Sequence, residues 1–342
     1  MAEPTSAYSL YDLMLRVAKA ASITYNGSDG QGRDMVPIEE FDFDACLNIV
    51  NDGIKLFIAS APPDGWRWMN RTMTVELDSD GTGDDNIEED AARYQLSDDF
   101  QGEVTGDITY AEDSGHGARI QWVSEATIRR MREVQVLEGT PDRAAVLPYT
   151  NRRWELIVDP QPSADDTLVF PYRAGFAAMQ AKNGTADSAT ATTLVDGDLA
   201  DLYPDDYFNG WTIKIISGTG RNSYAVVTDY TGSTGTFTVA DWLAIDGSAG
   251  GKDPATSSVW FVYDGETHPA GMVFDEAVLG ACLAKAELEY PDIQVGYMQK
   301  FLEVDLVKAW QADARTAPRR LGRLLPGREY TRGRFWNDVT KA

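Results

Sequence analysis

Histidine and cysteine are nearly absent from this 342-residue chain, which has two of each. Cys46 and Cys282 stand far apart, each in an apolar pattern of helical spacing. They read as buried thiols in a reducing compartment, not as a disulfide framework. His116 sits in the glycine-rich stretch SGHGA, and His268 precedes a proline. Neither has a Cys or His at metal-ligand spacing, or a nucleophile motif beside it. Basic residues are also scarce: 30 Lys and Arg face 54 Asp and Glu, for a net charge of −24. Such a balance argues against general nucleic-acid binding through phosphate contacts. No apolar run reaches the roughly 18 residues that a membrane helix needs. The first residues, MAEPTSAYSLYDLML, lack the basic stretch ahead of an apolar run that marks a signal peptide. No membrane partner and no cofactor are expected.

What is present is a 43% hydrophobic chain, enough for a packed core, with a length of roughly two domains. The charge is uneven. Residues 313–342 hold seven Arg and one Lys against Asp313, Glu329 and Asp338, or +5, which leaves −29 on the other 312 residues. A basic tail on an acidic body suits a tail that binds something acidic.

Helical spacing marks residues 8–23, with Leu10, Leu13, Met14, Val17 and Ala21 on one face, and again 39–60, where Asp42 or Asp44 is the expected cap and Pro62-Pro63 the stop. From Trp66 the period becomes two. RTMTVEL, YQLSDDF, EVTGDITY and RIQWVS read as strands, Ser124 as the cap of a helix in EATIRRMREVQVL, and RRWELIVDPQP and DTLVFPYRAGF as further strands. Residues 180–257 are rich in Thr, Ser, Gly and Asp, with five closely spaced strand signals, as in a small antiparallel barrel or sandwich. After Pro269, Val273, Ala277, Leu279, Cys282, Leu283 and Ala286 face a core. A second helix follows with Met298, Phe301, Leu302, Val304, Leu306 and Trp310. The expected fold is therefore α+β: a discontinuous helical bundle from both chain ends, an antiparallel β platform and an inserted small β-barrel or sandwich domain. The expected divisions are 1–62 and 266–314 for the bundle, 63–179 for the platform with one helix, 180–265 for the insert and 315–342 for a basic arm.

Two stretches invite a chemical reading. SGTGRN at 217–222 has the first two glycines of a dinucleotide fingerprint, but Ser223 stands where the third would be, and SYAVVTDY after it alternates like a strand. The glycines are hairpin turns, as are Gly232 and Gly235, where φ > 0 comes at low steric cost. Asp78, Asp80, Thr82, Gly83 and Glu89 fall at the first, third, fifth, sixth and twelfth positions of an EF-hand loop. The eighth position is Asp85 in place of an apolar residue, and the loop leaves a strand. A solvated acidic hairpin is preferred, with calcium as the alternative. The pairs Asp98-Asp99, Asp165-Asp166 and Asp205-Asp206 read as solvated turns. No reaction is legible, and the chain is not expected to be an enzyme. Trp66 and Trp68 read as a core pair at a helix–strand junction, and Trp336 as an aromatic anchor among arginines.

The order of CLNIVNDGIKLFIASAPPDGWRWMNRTMTVEL, YQLSDDF, RIQWVSEATIRRM and WELIVDPQPSADDTLVFPYRAGF, over most of the chain, resembles the head-to-tail adaptor proteins of tailed bacteriophages, the tail tubular protein A group among them. Ser97 stands where that pattern has proline. The resemblance implies a structural virion protein, made in the host cytoplasm. It would form a homo-oligomeric ring of about twelve subunits under the portal protein. It would also dock a tail, nozzle or stopper protein and extend a channel through which double-stranded DNA passes without specific binding. C-terminal extensions of similar proteins reach the portal. The matching residues here are Arg319, Arg320, Arg323, Arg328, Arg332, Arg334, Phe335 and Trp336. The alternatives are another neck or tail-tube component, such as a stopper, and a receptor- or carbohydrate-binding tail protein.

Overall fold

The computed structural model describes residues 8–25, 34–83, 86–87, 90–112, 120–150, 153–244, 246–264, 267–290, 292–293 and 295–315. It is mixed α+β. The helices are α1 (Leu10–Ala21), α2 (Glu40–Ala59), α3 (Glu125–Val134), α4 (Asp275–Glu289), α5 (Tyr297–Lys300) and α6 (Leu306–Arg315). A π-helical turn, Phe301–Asp305, joins the last two. No helix of the described residues is long and apolar enough to cross a membrane. The chain forms two compact units: residues 68–182, and residues 1–67 together with 183–342.

The unit of residues 68–182 holds β1 (Asn70–Leu77), β2 (Asn86–Ile87), β3 (Asp90–Gln95), β4 (Phe100–Val104), β5 (Thr109–Tyr110), β6 (Gln121–Trp122), β7 (Glu138–Gly139), β8 (Arg143–Pro148), β9 (Trp154–Asp159), β10 (Gln161–Pro162) and β11 (Asp166–Ala174). β11 pairs antiparallel with β1 on one side and with β4 and β5 on the other. A five-stranded sheet runs β2–β3–β9–β8–β6, with only its β6–β8 pair parallel, and β7 and β10 form a separate parallel pair. Alternation decides which side chains go inward. Met73, Val75 and Leu77 of β1 and Leu168, Phe170 and Tyr172 of β11 share one core with Tyr94, Ala144, Leu156 and Val158 of the five-stranded sheet. Arg93 and the buried Glu155 pair at 2.7 Å across β3 and β9.

In the other unit, Ser9 caps α1. The Asp12 amide donates to Ser9 Oγ, and the Ser9 amide to Asp12 Oδ2, so two otherwise orphaned donors are satisfied. α2 starts at Glu40 without a side-chain cap. Asp42 lies in its first turn, where a carboxylate favours the helix dipole, so neither Asp42 nor Asp44 is the cap. Ser124 does hold the cap position of α3, but its hydroxyl bonds Thr127 Oγ1 instead of a backbone amide. α1, α2 and α4 pack on one another. At the α2–α4 crossing the backbones nearly touch: a Cβ on Gly53 would lie 2.5 Å from Cys282 Cα. Trp66 stacks on Phe57 at 4.7 Å and donates from its indole to the Ile58 carbonyl.

The same unit carries β12 (Ala181–Thr185) from Asn183 onward, β13 (Ser188–Ala189), β14 (Thr193–Val195), β15 (Thr212–Ser217), β16 (Tyr224–Thr231), β17 (Thr236–Val239) and β18 (Val259–Tyr263). They form one sheet in the order β12–β18–β15–β16–β17–β14–β13, which among the described residues does not close into a barrel. It has its own core, with Trp242, Trp260, Phe208 and Phe237 at the centre. Phe261 of β18 turns the other way, onto Tyr11 of α1 and Phe43 of α2, and so ties the sheet to the helices. SGTGRN joins β15 to β16 as a hairpin, with Gly218 at φ 81° and Gly220 at φ 79°. Gly235 also has positive φ. Gly232 does not. It is small because a Cβ there would lie 2.2 Å from the Tyr203 carbonyl oxygen.

Candidate functional site

Among the described residues, His268 and both cysteines are buried. His268 is buried, and its Nε2 lies 2.6 Å from Asp275 Oδ1 at the start of α4. Burial pushes the imidazole below its ordinary value, and the Asp275 carboxylate opposes that shift. Both thiols are free and buried, and burial pushes each up to about 12, far from the range of a reactive thiolate. His116 lies outside the described residues.

The structure brings Asp78, Asp80 and Thr82 together in one loop. Their carboxylates face the loop's own backbone: Asp78 accepts from the amides of Asp80 and Gly83, and Asp80 from the amide and hydroxyl of Thr82. These bonds hold the exposed Asp80 carboxyl below its usual range. Glu89 lies outside the described residues, and among those described no group of three or more His, Cys, Asp or Glu is placed to hold a metal. The paired aspartates act as local acceptors too. Asp165 takes the Ser79 amide and hydroxyl, Asp205 the Gly232 amide, and Asp99 the Tyr172 hydroxyl.

Exposed apolar side chains stand on the C-terminal helix. α5, the π turn and α6 run as one helix. It buries Phe301, Asp305, Leu306, Ala309 and Asp313, and exposes Leu302, Val304, Val307 and Trp310. Within the π turn Leu302 and Val304 face solvent while Asp305 turns inward against Gly280. Val273 is likewise 67% exposed, because the segment before α4 is a 3-10 turn rather than helix. Two bonds anchor the helix's far end. Asp313 accepts from the Arg67 amide with both oxygens, and the Trp310 indole donates to the Ser60 carbonyl. The arm begins directly beyond. Arg319, Arg320, Arg323, Arg328, Arg332, Arg334, Phe335 and Trp336 all lie outside the described residues.

A second such surface, on α3, escaped the sequence reading. Of its ten residues only Ile128 is buried. Arg132 fastens it to the sheet, donating to the Val158 carbonyl and lying 3.8 Å from Asp159. An open cleft of about 780 Å³ runs between α3 and Ile157. Val134, Val136 and Leu137 are 87%, 57% and 52% exposed. The signal in EATIRRMREV was its single apolar inward position, too little to bury a helix on its own. No model of a known protein family matches the chain, and no curated protein matches it.

Proposed function

We propose that the chain is a structural virion protein, a head-to-tail adaptor that forms a ring beneath the portal of a tailed bacteriophage, extends the DNA channel and docks the tail. In this reading the helices of both chain ends form one discontinuous bundle, residues 63–179 a β platform, and residues 180–265 an inserted β domain. The observation that carries it is the C-terminal helix. It exposes the apolar side chains of Leu302, Val304, Val307 and Trp310 and leads into a segment of net +5 on a body of −29. Exposed apolar side chains supply burial and a basic arm supplies steering, a combination that suits a subunit seated on a larger assembly. The basic charge of the arm is what suits it to bind the portal. The acidic body suits a lumen that repels phosphate and lets DNA slide.

The test is the native mass of the purified protein with and without its portal, followed by negative-stain images. A closed ring with a central hole, alone or templated by the portal, is the expected result. Removing residues 316–342 is expected to abolish portal binding, and added salt to weaken it. A chain that stays monomeric beside the portal, or a truncated one that binds as well as the full chain, refutes the reading. A basic lumen refutes the channel argument.

A further inference from the structure

Between β14 and β15 the chain runs through DLADLYPDDYFNGW, residues 198–211. The backbone of this loop is fastened along β16 and the turn after it. The amides of Asp201, Asp206 and Gly210 donate to the carbonyls of Gly232, Tyr230 and Val227, and the Val227 amide donates back to Trp211. Phe208 is fully buried and plugs the loop into the core of the sheet. Tyr203, Tyr207 and Trp211 each pack on Phe208, with ring centroids 5.0, 4.8 and 5.0 Å away. Tyr207 joins the other two, 4.8 Å from Tyr203 and 5.8 Å from Trp211. The three rings are one contiguous group. Tyr207 is 38% exposed, and Tyr203 and Trp211 are half-buried.

The same loop carries four exposed carboxylates, Asp198, Asp201, Asp205 and Asp206. No Lys or Arg stands between Lys182 and Lys214, a stretch with six Asp. Ile213 and Ile215 face the core that Phe208 fills, so Lys214 points to the opposite face of the sheet, where its ammonium lies 4.0 Å over the Tyr11 ring of α1. Residues 224–239, against which the loop packs, add Asp229 and again no cation. Aromatic rings and uncompensated negative charge therefore share one face.

We infer that this face binds the chain's own basic segment, residues 316–342. Charge chooses the occupant. Nucleic acid and anionic lipid are repelled, whereas a guanidinium stacks on a tyrosine or tryptophan ring and pairs with a carboxylate at the same time. Residues 316–342 hold six Arg and Lys341 against Glu329 and Asp338, which is 7 − 2 = +5, and they add Phe335 and Trp336 to pack on the rings. Length allows the contact. These 27 residues can span up to about 90 Å, while a unit of this size is roughly 45 Å across. Segment and face belong to the same unit of the chain, so the contact is intramolecular and its strength is raised by the tether. In one respect the inference rests on the adaptor reading above: the portal and the face compete for one arm, and the face holds it until the portal takes it.

Photo-crosslinking of the full chain tests it, with Trp336 replaced by the photo-reactive p-benzoyl-phenylalanine. At a concentration where the chain is monomeric, irradiation is expected to join position 336 to residues 198–211. In a mixture of heavy-isotope-labelled and unlabelled chains, each crosslink is expected to lie within one chain. D201N/D206N supplies the charge control. Both positions have positive φ, 59° and 65°, which asparagine adopts as readily as aspartate, so the loop keeps its shape while it loses two charges. The crosslink yield is expected to fall at least about threefold in this variant, with an unchanged circular dichroism spectrum, and to fall with added salt in the wild type. Crosslinks that map elsewhere, that join two different chains, or that are indifferent to D201N/D206N in a folded chain overturn the inference. Added portal is expected to remove the crosslink, and D201N/D206N to bind the portal more tightly by the same factor. A portal that binds while the crosslink persists overturns the competition. The two readings fail separately. If the crosslink forms and the portal never binds the chain, the adaptor reading falls and the face stands. If the arm binds the portal but never crosslinks to the loop, the face falls and the adaptor reading stands.

Discussion

Gly53→Ala places two physical effects in opposition at one position. In an isolated helix the change is favourable by about 1 kcal/mol, because glycine loses more backbone freedom on folding than alanine. At Gly53 the added methyl carbon would lie 2.5 Å from Cys282 Cα and 2.7 Å from its nitrogen. A comfortable carbon–carbon contact is about 3.5–4.0 Å, so α2 and α4 must separate locally by about 1 Å. Overpacking of a buried contact costs about 1–3 kcal/mol. The neighbour here is helix backbone, which cannot rotate away as a flexible side chain would. The clash wins, with a net loss of about 1 kcal/mol and up to 2. A unit of this size would then melt about 2–4 °C lower per kcal/mol. Thermal unfolding followed by circular dichroism reads the shift, and faster amide exchange in α2 and α4 localises it. G53A/C282A should be no better than G53A, since the Cα and nitrogen of residue 282 remain. A G53A protein as stable as the wild type, or about 1 kcal/mol more stable, would refute the close-approach argument.

Three further expectations test other parts of the fold. Asp313→Ala strips both acceptors from the Arg67 amide and should cost about 1–2 kcal/mol in urea unfolding; no change would mean that water replaces the carboxylate at no cost. Arg93→Met leaves Glu155, 2% exposed, without its 2.7 Å partner and should cost about 3 kcal/mol, whereas R93M/E155L should recover most of the loss. A double variant worse than the single would contradict this. His268 is held below its ordinary value of about 6.5, so the unfolded chain takes up its proton first. The stability tied to a neutral His268 is therefore present above that value and is lost as pH falls through it toward the folded value. Chemical unfolding measured across that window should show a slope that H268Q removes; the same slope in H268Q would assign it elsewhere.

Much of the architecture was legible because local pattern and tertiary demand agreed. The spacing of Leu10, Leu13, Met14 and Val17 made α1 visible, and Ser9 with Asp12 supplied both halves of its cap. The alternation in RTMTVEL and DTLVFPYR marked β1 and β11, which pair along their whole length. The missing third glycine at Ser223 separated a hairpin from a phosphate loop, and the antiparallel pairing of β15 and β16 agrees. Other expectations failed where a single position was decided by something distant in sequence. Leu302 and Val304 were read with Phe301 and Leu306 as apolar residues of one helix, but only Phe301 and Leu306 are buried, and a π turn spans 301–305. Asp42 and Asp44 have the chemistry of a cap, yet α2 begins two residues before the first of them.

The candidate surfaces divide along the same line. The charge asymmetry between the body and residues 313–342 is a property of composition and needs no coordinates. So is the scarcity of histidine and cysteine, which leaves few groups for chemistry at neutral pH. Only the tertiary structure decided that α3 packs over β8 and β9 and that the acidic loop after β1 is tied to Tyr94 of β3, because strand order is set by pairing between segments far apart in the chain. Only it decided that α3 buries one side chain and leaves its apolar C-terminal flank bare. Hydrophobic periodicity records which face a segment offers to its own core. It holds no record of how much core lies opposite that face, and that quantity separates an ordinary amphipathic helix from one with surface left over for a partner.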